Sequence, residues 1–396
     1  MKPKIRFKGF DGEWEESPFS KIVERISTSA QAGKLPGIEF EDIVSGEGRL
    51  NKDIYQKVCC KYGNLFREGD ILFGKLRPYL KNILLADFKG VAIGDFWILR
   101  SKENDSKYLY TLVNSNSFMK IANISSGSKM PRADWNLVSS TKFAIPSSMD
   151  EQRTIGEYFT SLDAQISACA SRLASLKQIK AASLQAMFPQ EGETVPKVRF
   201  KGFGGGWKKV KLSECLEIST TRNLNNEFGV NEVLSVSDEE GVMNQIKLLG
   251  RSYAGKSVTN YKILRTNQVV YTKSPLKAKP YGIVKVNKGE TGIVSVLYAV
   301  YDAKECVSPD YIHYYFEPTF RINNYLLPLI NKGAKNTMNI SDEVSLQGDI
   351  ILPNTLEEQV RIVEFLQSLD RQITLHTQRL EKLKQIKAAC LDKMFV

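Results

Sequence analysis

The sequence predicts an α/β (α+β) protein of two pseudo-symmetric globular domains joined by two long, antiparallel, coiled-coil-like helices. Three observations carry this: a repeat that divides the 396-residue chain, two helix-forming segments that are near copies, and strand-like blocks that fill the space between them. KIRFKGFDGEW at residues 4–14 returns as KVRFKGFGGGW at residues 197–207. EQRTIGEYFTSLDAQISACASRLASLKQIKAASLQAMF at residues 151–188 returns 207 residues later, at 358–395, with 21 of 38 positions identical. Chance does not produce such agreement.

The two near-copies read as helices. They lack internal Gly and Pro over most of their length, are rich in Ala, Leu, Lys and Gln, and place apolar residues in alternating steps of three and four. Leu162, Ile166, Cys169, Leu173 and Leu176 form that stripe in the first copy, and Leu369, Ile373, His376, Leu380 and Leu383 in the second. Such a stripe asks for a partner helix. We therefore expect Leu162, Ile166, Leu173, Leu176, Leu369, Ile373, Leu380 and Leu383 to form a helix or partner interface. Pro189 stops the first helix, and the Pro- and Gly-rich residues 189–206 lead into the second half. The economical arrangement packs the helices antiparallel with a globular domain at each end. The expected boundaries are 1–149 for the first domain, 150–190 for a central helix, 191–356 for the second domain and 357–396 for a C-terminal helix. From Asp163 to Met187 such a helix spans about 37 Å at roughly 1.5 Å per residue. That is close to the ~34–36 Å of one turn of B-DNA. The helices therefore suit a spacer, the alternative being a dimerisation stem unrelated to DNA geometry.

Between the anchors the halves diverge but keep a common skeleton. EGDILFGKLRPYL (68–80) lines up with TNQVVYTKSPL (266–276), IGDFWILR (93–100) with VSVLYAVY (294–301), and FAIP (143–146) with IILP (350–353). Short β-branched and aromatic runs alternate with Gly, Asn and Asp turns, and short helices are expected at 106–122 and 309–327. Each block should be a mixed α/β globule.

A formal charge of +11 and a pI near 9.1 point to a polyanionic partner, because lysine and arginine in that excess repel one another until phosphate neutralises them. A basic protein with a neutral ligand is the alternative. The six cysteines (Cys59, Cys60, Cys169, Cys215, Cys306, Cys390) include no C-x-x-C pair, and only His313 and His376 could complement them. Neither a zinc site nor a disulfide framework is expected. The N-terminal MKPKIRFKGFDGEW has no apolar core of a signal peptide, and no stretch approaches the roughly 18 apolar residues of a membrane helix. A cytoplasmic, reduced protein without a membrane partner is expected.

Basic residues interleaved with turn formers and aromatics are the candidate DNA contacts. In the first half these are Lys75, Arg77, Tyr79 and Lys81, then Lys129 and Arg132 in SGSKMPRADW. The second half offers Lys273, Lys277, Lys279 and Tyr281, then Lys332 and Lys335 in NKGAKN. Arg and Lys reach guanine edges or phosphate, and the sequence does not sort one from the other. Taken singly, each could be a solvated surface charge.

One motif points elsewhere. Residues 250–257, GRSYAGKS, satisfy the G-x-x-x-x-G-K-S pattern of a phosphate-cradling loop, and the apolar run at 293–301 before Asp302 mimics a magnesium-holding strand. A true loop of this kind opens a helix, but VTNYKIL after Ser257 reads as a strand. Asp302-Ala-Lys304 lacks the upstream partners of a nuclease, and no N-P-P-Y or D-P-P-Y tetrapeptide stands ready to stack a flipped base. His376 takes the stripe position of Cys169 and reads as packed. No catalytic or metal-binding residues are expected.

Over essentially its whole length the chain resembles the specificity subunit of type I restriction-modification systems. The likeness rests on KIRFKGFDGEW and its copy, GDILFGKLRPYL, SVTNYKILRTNQVVYTK, and the passages SSGSKMPRADW...FAIPSSMDEQRTIGEYFTSLD and NKGAKNTMNI...IILPNTLEEQVRIVEFLQSLD. The resemblance implies two target recognition domains, each reading half of an asymmetric bipartite site in double-stranded DNA, with the two helices fixing the spacer. It also implies two methyltransferase (modification) subunits seated on the helices and methylating adenine at N6, together with restriction (motor and nuclease) subunits. S-adenosylmethionine, ATP and Mg2+ are then expected on those partners and no cofactor on this chain. Two other readings stay open: an ATP-dependent nucleic-acid processing enzyme using residues 250–257, and an orphan adapter for a methyltransferase alone.

Overall fold

Ser148 and Thr355 each stand one residue before a long helix. Their hydroxyls accept the backbone N–H of Glu151 at 3.4 Å and of Glu358 at 3.3 Å, and acidic residues fill both first turns. A hydroxyl cap with acids at the positive end of the helix dipole starts a helix. In the computed structural model the two helices run Met149–Ala186 and Leu356–Met394, 38 and 39 residues long. The structure describes residues 2–33, 35–55, 60–124, 130–255, 257–274, 276, 278–332 and 338–395, with the side chains of 331, 332, 338 and 339 excepted.

The chain forms two compact units, residues 1–173 with 375–396 and residues 174–374. This division cuts both long helices. Each unit holds one diverged block, the first part of the helix that follows it, and the last part of the other helix. The four segments drawn from the sequence follow secondary structure, whereas the packing joins helix starts to helix ends.

Unit one contains β1 (Trp14–Pro18), β2 (Val23–Ile26), β3 (Ile71–Gly74), β4 (Ile83–Leu85), β5 (Phe96–Ser101), α1 (Ser106–Asn114), α2 (Asn116–Ala122), β6 (Lys142–Pro146) and the start of α3 (Met149–Ala186). β1 pairs antiparallel with β6, and the main sheet has the antiparallel order β2-β5-β3-β4. Unit two repeats this with β7 (Lys208–Lys211), β8 (Leu216–Ile218), β9 (Val269–Thr272), β10 (Val284–Val286), β11 (Tyr298–Ala303), α4 (Pro309–Phe316), α5 (Thr319–Leu326), β12 (Asp349–Leu352) and the start of α6 (Leu356–Met394). There β7 pairs with β12, and the sheet order is β8-β11-β9-β10. The units differ in their insertions. Unit one adds a sheet of Ser29–Gln31, Tyr62–Phe66, Gly90–Ala92 and Gly37–Ile38; unit two adds the hairpin Leu234–Ser237/Gly241–Asn244 and the pair Lys262–Leu264/Gly292–Val294.

The continuous apolar runs ILF and VVY have a simple origin. β3 and β9 are buried on both faces. Alternate side chains point to opposite sides of a strand, so Ile71 and Phe73 join the core beneath α1 and α2, while Leu72 packs with Ile38 and Phe66 of the inserted sheet. Val269 and Tyr271 divide from Val270 in the same way in unit two.

Helix ends close both cores. Phe395 lies 5.8 Å from Tyr108 and 6.3 Å from Trp14 between ring centroids; Phe188, its repeat partner, lies 5.4 Å from Tyr311 and 6.3 Å from Trp207. The entry segments dock on those ends, with Lys4 and Ile5 N–H donating to Lys393 O at 2.9 and 3.2 Å and Val198 N–H to Ala186 O at 2.9 Å. Antiparallel helix pairing is marked in unit one by Lys387–Asp163 at 2.5 Å and in unit two by Lys180–Asp370 at 2.6 Å. Of the stripe, Leu162, Leu176 and Leu369 are buried, and Ile166, Leu173, Ile373, Leu380 and Leu383 are half-buried. Cys169 Sγ lies 3.6 Å from His376 Nδ1, a packing contact between repeat-related positions.

Candidate nucleic-acid interface

In each unit a loop leaves the central buried strand at a lysine and returns to the sheet at or shortly after a second one. In unit one, Lys75 and Arg132 share Asp95, at 3.4 and 2.9 Å. The backbone locks the same groups together: Lys75 N–H donates to Asp95 O at 2.9 Å, Ala133 N–H to Lys75 O at 2.9 Å, and Arg77 N–H to Pro131 O at 2.8 Å. Pro78 disfavours the α conformation at Arg77, which takes the left-handed one at φ 50°. A single turn, Pro78–Leu80, follows, and Lys81 is left-handed again at φ 51°. Two non-glycine residues at positive φ over five positions mark a loop over-determined by its surroundings. Arg77, Tyr79 and Leu80 are exposed at its tip. Lys81 turns inward, Nζ donating to Asn114 O at the end of α1 at 3.3 Å, where the helix dipole favours a cation.

The loop of unit two is held by other groups. Lys273 pairs with Asp342 at 2.8 Å, and Lys262 shares that carboxylate. Lys279 binds Asp238 at 2.8 Å and donates to Glu317 O at the end of α4 at 3.0 Å, while Lys285 reaches Asp238 at 3.6 Å. Burial works against the charge on Asp342 and on Asp238, but the paired lysines outweigh it and hold both below the usual carboxylate range. Tyr281 is half-buried, and its carbonyl accepts the Tyr271 hydroxyl at 2.9 Å. Lys129, Lys277 and Lys335 lie outside the described residues, as does the side chain of Lys332, whose backbone pairs antiparallel with Met338.

The structure thus gathers Lys75, Arg77 and Arg132 into one basic group, and Lys273 and Lys279 each onto a carboxylate. Lys81 and Lys279 occupy equivalent inward positions. The carboxylates Asp95, Asp238 and Asp342 that organise these groups were not singled out from the sequence; each sits in a loop whose partner is remote along the chain. The sheet beneath also exchanges charge between units. Asp70 takes two hydrogen bonds from Arg100, at 2.8 and 2.7 Å; the strand registers shift the 93–100/294–301 alignment by one residue, so that Arg100 matches Asp302, and there Gln268 Nε2 donates to Asp302 Oδ1 at 2.7 Å. One geometry is built from different residues.

The near-identical entry segments do something else. Arg6 grips Glu151 with two bonds of 2.6 and 2.7 Å, and Trp14 Nε1 donates to the same carboxylate at 3.2 Å. Arg199 and Trp207 repeat this on Glu358, at 2.7, 2.8 and 3.3 Å. The next residue is also shared: Gln152 accepts the Asp105 N–H and Gln359 the Ser308 N–H, both at 3.0 Å, tying the helix start to the cap of the first short helix. The Glu-Gln pair is the joint between reading block and long helix, and the repeat was the signal for it.

The described residues of the G-x-x-x-x-G-K-S stretch do not form a phosphate loop. Gly250, at φ 80°, ends the short helix Gln245–Leu249, and after Ser257 the chain turns into the strand Lys262–Leu264. The helix that would aim its amides at phosphate is missing there. Lys256 lies outside the described residues. Among the described residues no group of three or more His, Cys, Asp or Glu is placed to hold a metal ion, and no helix is long and apolar enough to cross a membrane.

The family model for the type I restriction modification DNA specificity domain matches residues 204–385. A search of curated proteins finds no match. Among solved structures, the S subunit of a type I restriction-modification system from M. genitalium is similar over 100% of this chain and 99% of that one, at 12% identity and a TM-score of 0.63, a likeness of fold. The HsdS subunit from Thermoanaerobacter tengcongensis aligns at 20% identity over 98% and 97%, with a TM-score of 0.43. A chain from a structure of complex assembly and conformational transition of the type I R-M system aligns at 18% identity over 98% and 99%, with a TM-score of 0.49. The second half of the chain thus matches the type I restriction modification DNA specificity domain, and the first half repeats the strand order, helix joint and core closure of the second.

Proposed function

We propose that the chain is the non-catalytic address-reader of its complex, each unit reading one half of an asymmetric bipartite site in double-stranded DNA. The observation that carries this is duplication with a difference. The Arg–Trp–Glu joint is the same in both units, while the loops above the shared sheet are held by unlike charge networks. Two equal joints suit two copies of one partner, and two unlike surfaces suit two unlike sequences. The paired helices would seat two adenine-N6 methyltransferase subunits, with restriction subunits joining that core. S-adenosylmethionine, ATP and Mg2+ would be carried by those partners.

In this reading Lys75, Arg77, Tyr79 and Arg132 face DNA in unit one, and Lys273, Lys277, Lys279, Tyr281, Lys332 and Lys335 serve the second half-site, with Lys81 and Lys129 completing the first. The test is to reconstitute the chain with its modification subunits, supply S-adenosylmethionine and map the methylated adenines. Two unlike half-sites separated by an unread spacer are expected. A continuous or symmetric target would overturn the proposal, and saturable ATP binding by the isolated chain that depends on residues 250–257 would favour the enzymatic reading.

A further inference from the structure

At the foot of the two reading loops the units agree position by position, except in charge. Lys387 and Lys180 are repeat partners and bind the repeat-related Asp163 and Asp370. Lys81 and Lys279 are equivalent and bind the carbonyls of Asn114 and Glu317. In unit two that last residue brings a carboxylate, which binds Lys180 at 2.6 Å, and the Tyr314 hydroxyl donates to Asp370 at 2.7 Å. Unit one has Asn114 and Thr111 at the same places, and the Asn114 amide turns back onto Tyr110 O at 2.9 Å.

Beside Asn114 lies a cavity of about 320 Å³, lined by Arg49, Lys81, Asn114, Asp163, Lys384 and Lys387 among others. Glu47 neutralises Arg49 at 2.6 Å and Asp163 neutralises Lys387. Lys81 and Lys384 are left with no carboxylate among the described residues. Burial, and after it the Lys387 ammonium, pulls the pKa of Lys81 below the usual lysine value. Burial also works to lower that of Lys180, but Glu317 and Asp370 outweigh it and raise it. In unit two Lys180 and Lys279 each hold a carboxylate, Glu317 with Asp370 and Asp238, whereas their counterparts in unit one are Lys387 with Asp163 and Lys81 with a carbonyl.

We propose that this cavity is a binding site for a phosphate group, whose charge stands where Glu317 stands in unit two. Several cationic side chains line a space with room for more than one water, and charge-assisted hydrogen bonds to phosphate are the strong ones. The phosphate belongs either to the DNA backbone or to a free small molecule.

The test uses the full-length chain and inorganic pyrophosphate, titrated calorimetrically at constant ionic strength, with thermal melting in parallel. Saturable binding and a rise in Tm are expected for the unaltered protein. Asn114→Glu supplies the missing carboxylate and should raise the basal Tm while weakening pyrophosphate binding about tenfold or more. Lys384→Gln, at an exposed position that does not threaten folding, should weaken it by about threefold or more. If DNA provides the phosphate, prebound duplex abolishes pyrophosphate binding and Asn114→Glu lowers duplex affinity. If a free molecule provides it, duplex and pyrophosphate bind together. Either result supports the site. No saturable binding, or binding that Lys384→Gln leaves unchanged, overturns it whether or not the chain reads DNA.

Discussion

Removing the Glu151 carboxylate should damage unit one far more than its position in a helix's first turn implies. The side chain is 2% exposed and accepts three hydrogen bonds, two from Arg6 and one from Trp14. Glu151→Ala removes the counter-ion of Arg6, which keeps its bond to Gly12 O at 2.6 Å, and the carboxylate acceptor of Trp14 Nε1. Breaking a buried ion pair costs roughly 3–5 kcal/mol. The Arg6 side chain is 15% exposed and regains some water, which puts the expected loss near the lower end, about 3 kcal/mol. In a unit of this size that is a Tm shift of about 6–12 °C.

Urea unfolding followed by tryptophan fluorescence can assign the loss to a unit, because Trp14, Trp97 and Trp135 lie in unit one and Trp207 alone reports unit two. Glu358→Ala should produce the mirror result, with the Trp207 transition moving most. The double variant Arg6→Met with Glu151→Gln leaves no unpaired charge and should be milder than Glu151→Ala alone. A shift under about 1 kcal/mol for Glu151→Ala, within the ordinary range of surface substitutions, would refute the reasoning, as would a double variant no more stable than the single.

Phe188 and Phe395 should behave as core residues at helix ends: Phe188→Ala should cost unit two about 3–5 kcal/mol, and Phe395→Ala should unfold unit one first, each read by the same fluorescence transitions. Burial, then the Lys285 ammonium, pushes His313 down to about 3, and its Nδ1 lies 3.1 Å from the Val284 carbonyl. The unfolded chain therefore takes a proton near pH 6.5 that the folded unit refuses, and stability is lost as pH falls through that value, by about 2 kcal/mol at pH 5. His313→Gln should flatten this slope in urea titrations between those two pH values; an unchanged slope would show another group responsible. Charge reversal at Lys75 with Arg77 should weaken DNA binding by the assembled complex and lower the magnitude of its salt slope by about 2, without changing subunit assembly on a sizing column. Asp95→Ala releases Lys75 and Arg132 together, so discrimination between target and unrelated duplex should fall while affinity for unrelated duplex holds or rises, measured at matched salt.

The scaffold was legible in the sequence because its parts are local or repeated. Periodicity and the Pro189 stop mark the helices, and the continuous apolar runs ILF and VVY mark strands that the structure buries on both sides. The joint was visible only as sameness: Arg6, Trp14 and Glu151 recur as Arg199, Trp207 and Glu358, but nothing local says that residues 145 positions apart touch. The charge networks left no such trace. Asp95 and Asp342 do corresponding work for Lys75 and Lys273 from places in the chain that do not correspond, so aligning the halves cannot find them. The inward turn of Lys81 was hidden for a different reason, since its acceptor is a backbone carbonyl and any residue could have stood at Asn114. That freedom is what makes the position informative. Where the backbone of one residue holds the loop, its side chain is released from the task, and the two units have used the release differently: Glu317 neutralises a lysine of the long helix in one, and in the other Asn114 leaves its counterpart with Asp163 alone. The two units are thus copies in what they hold up and not in what they hold.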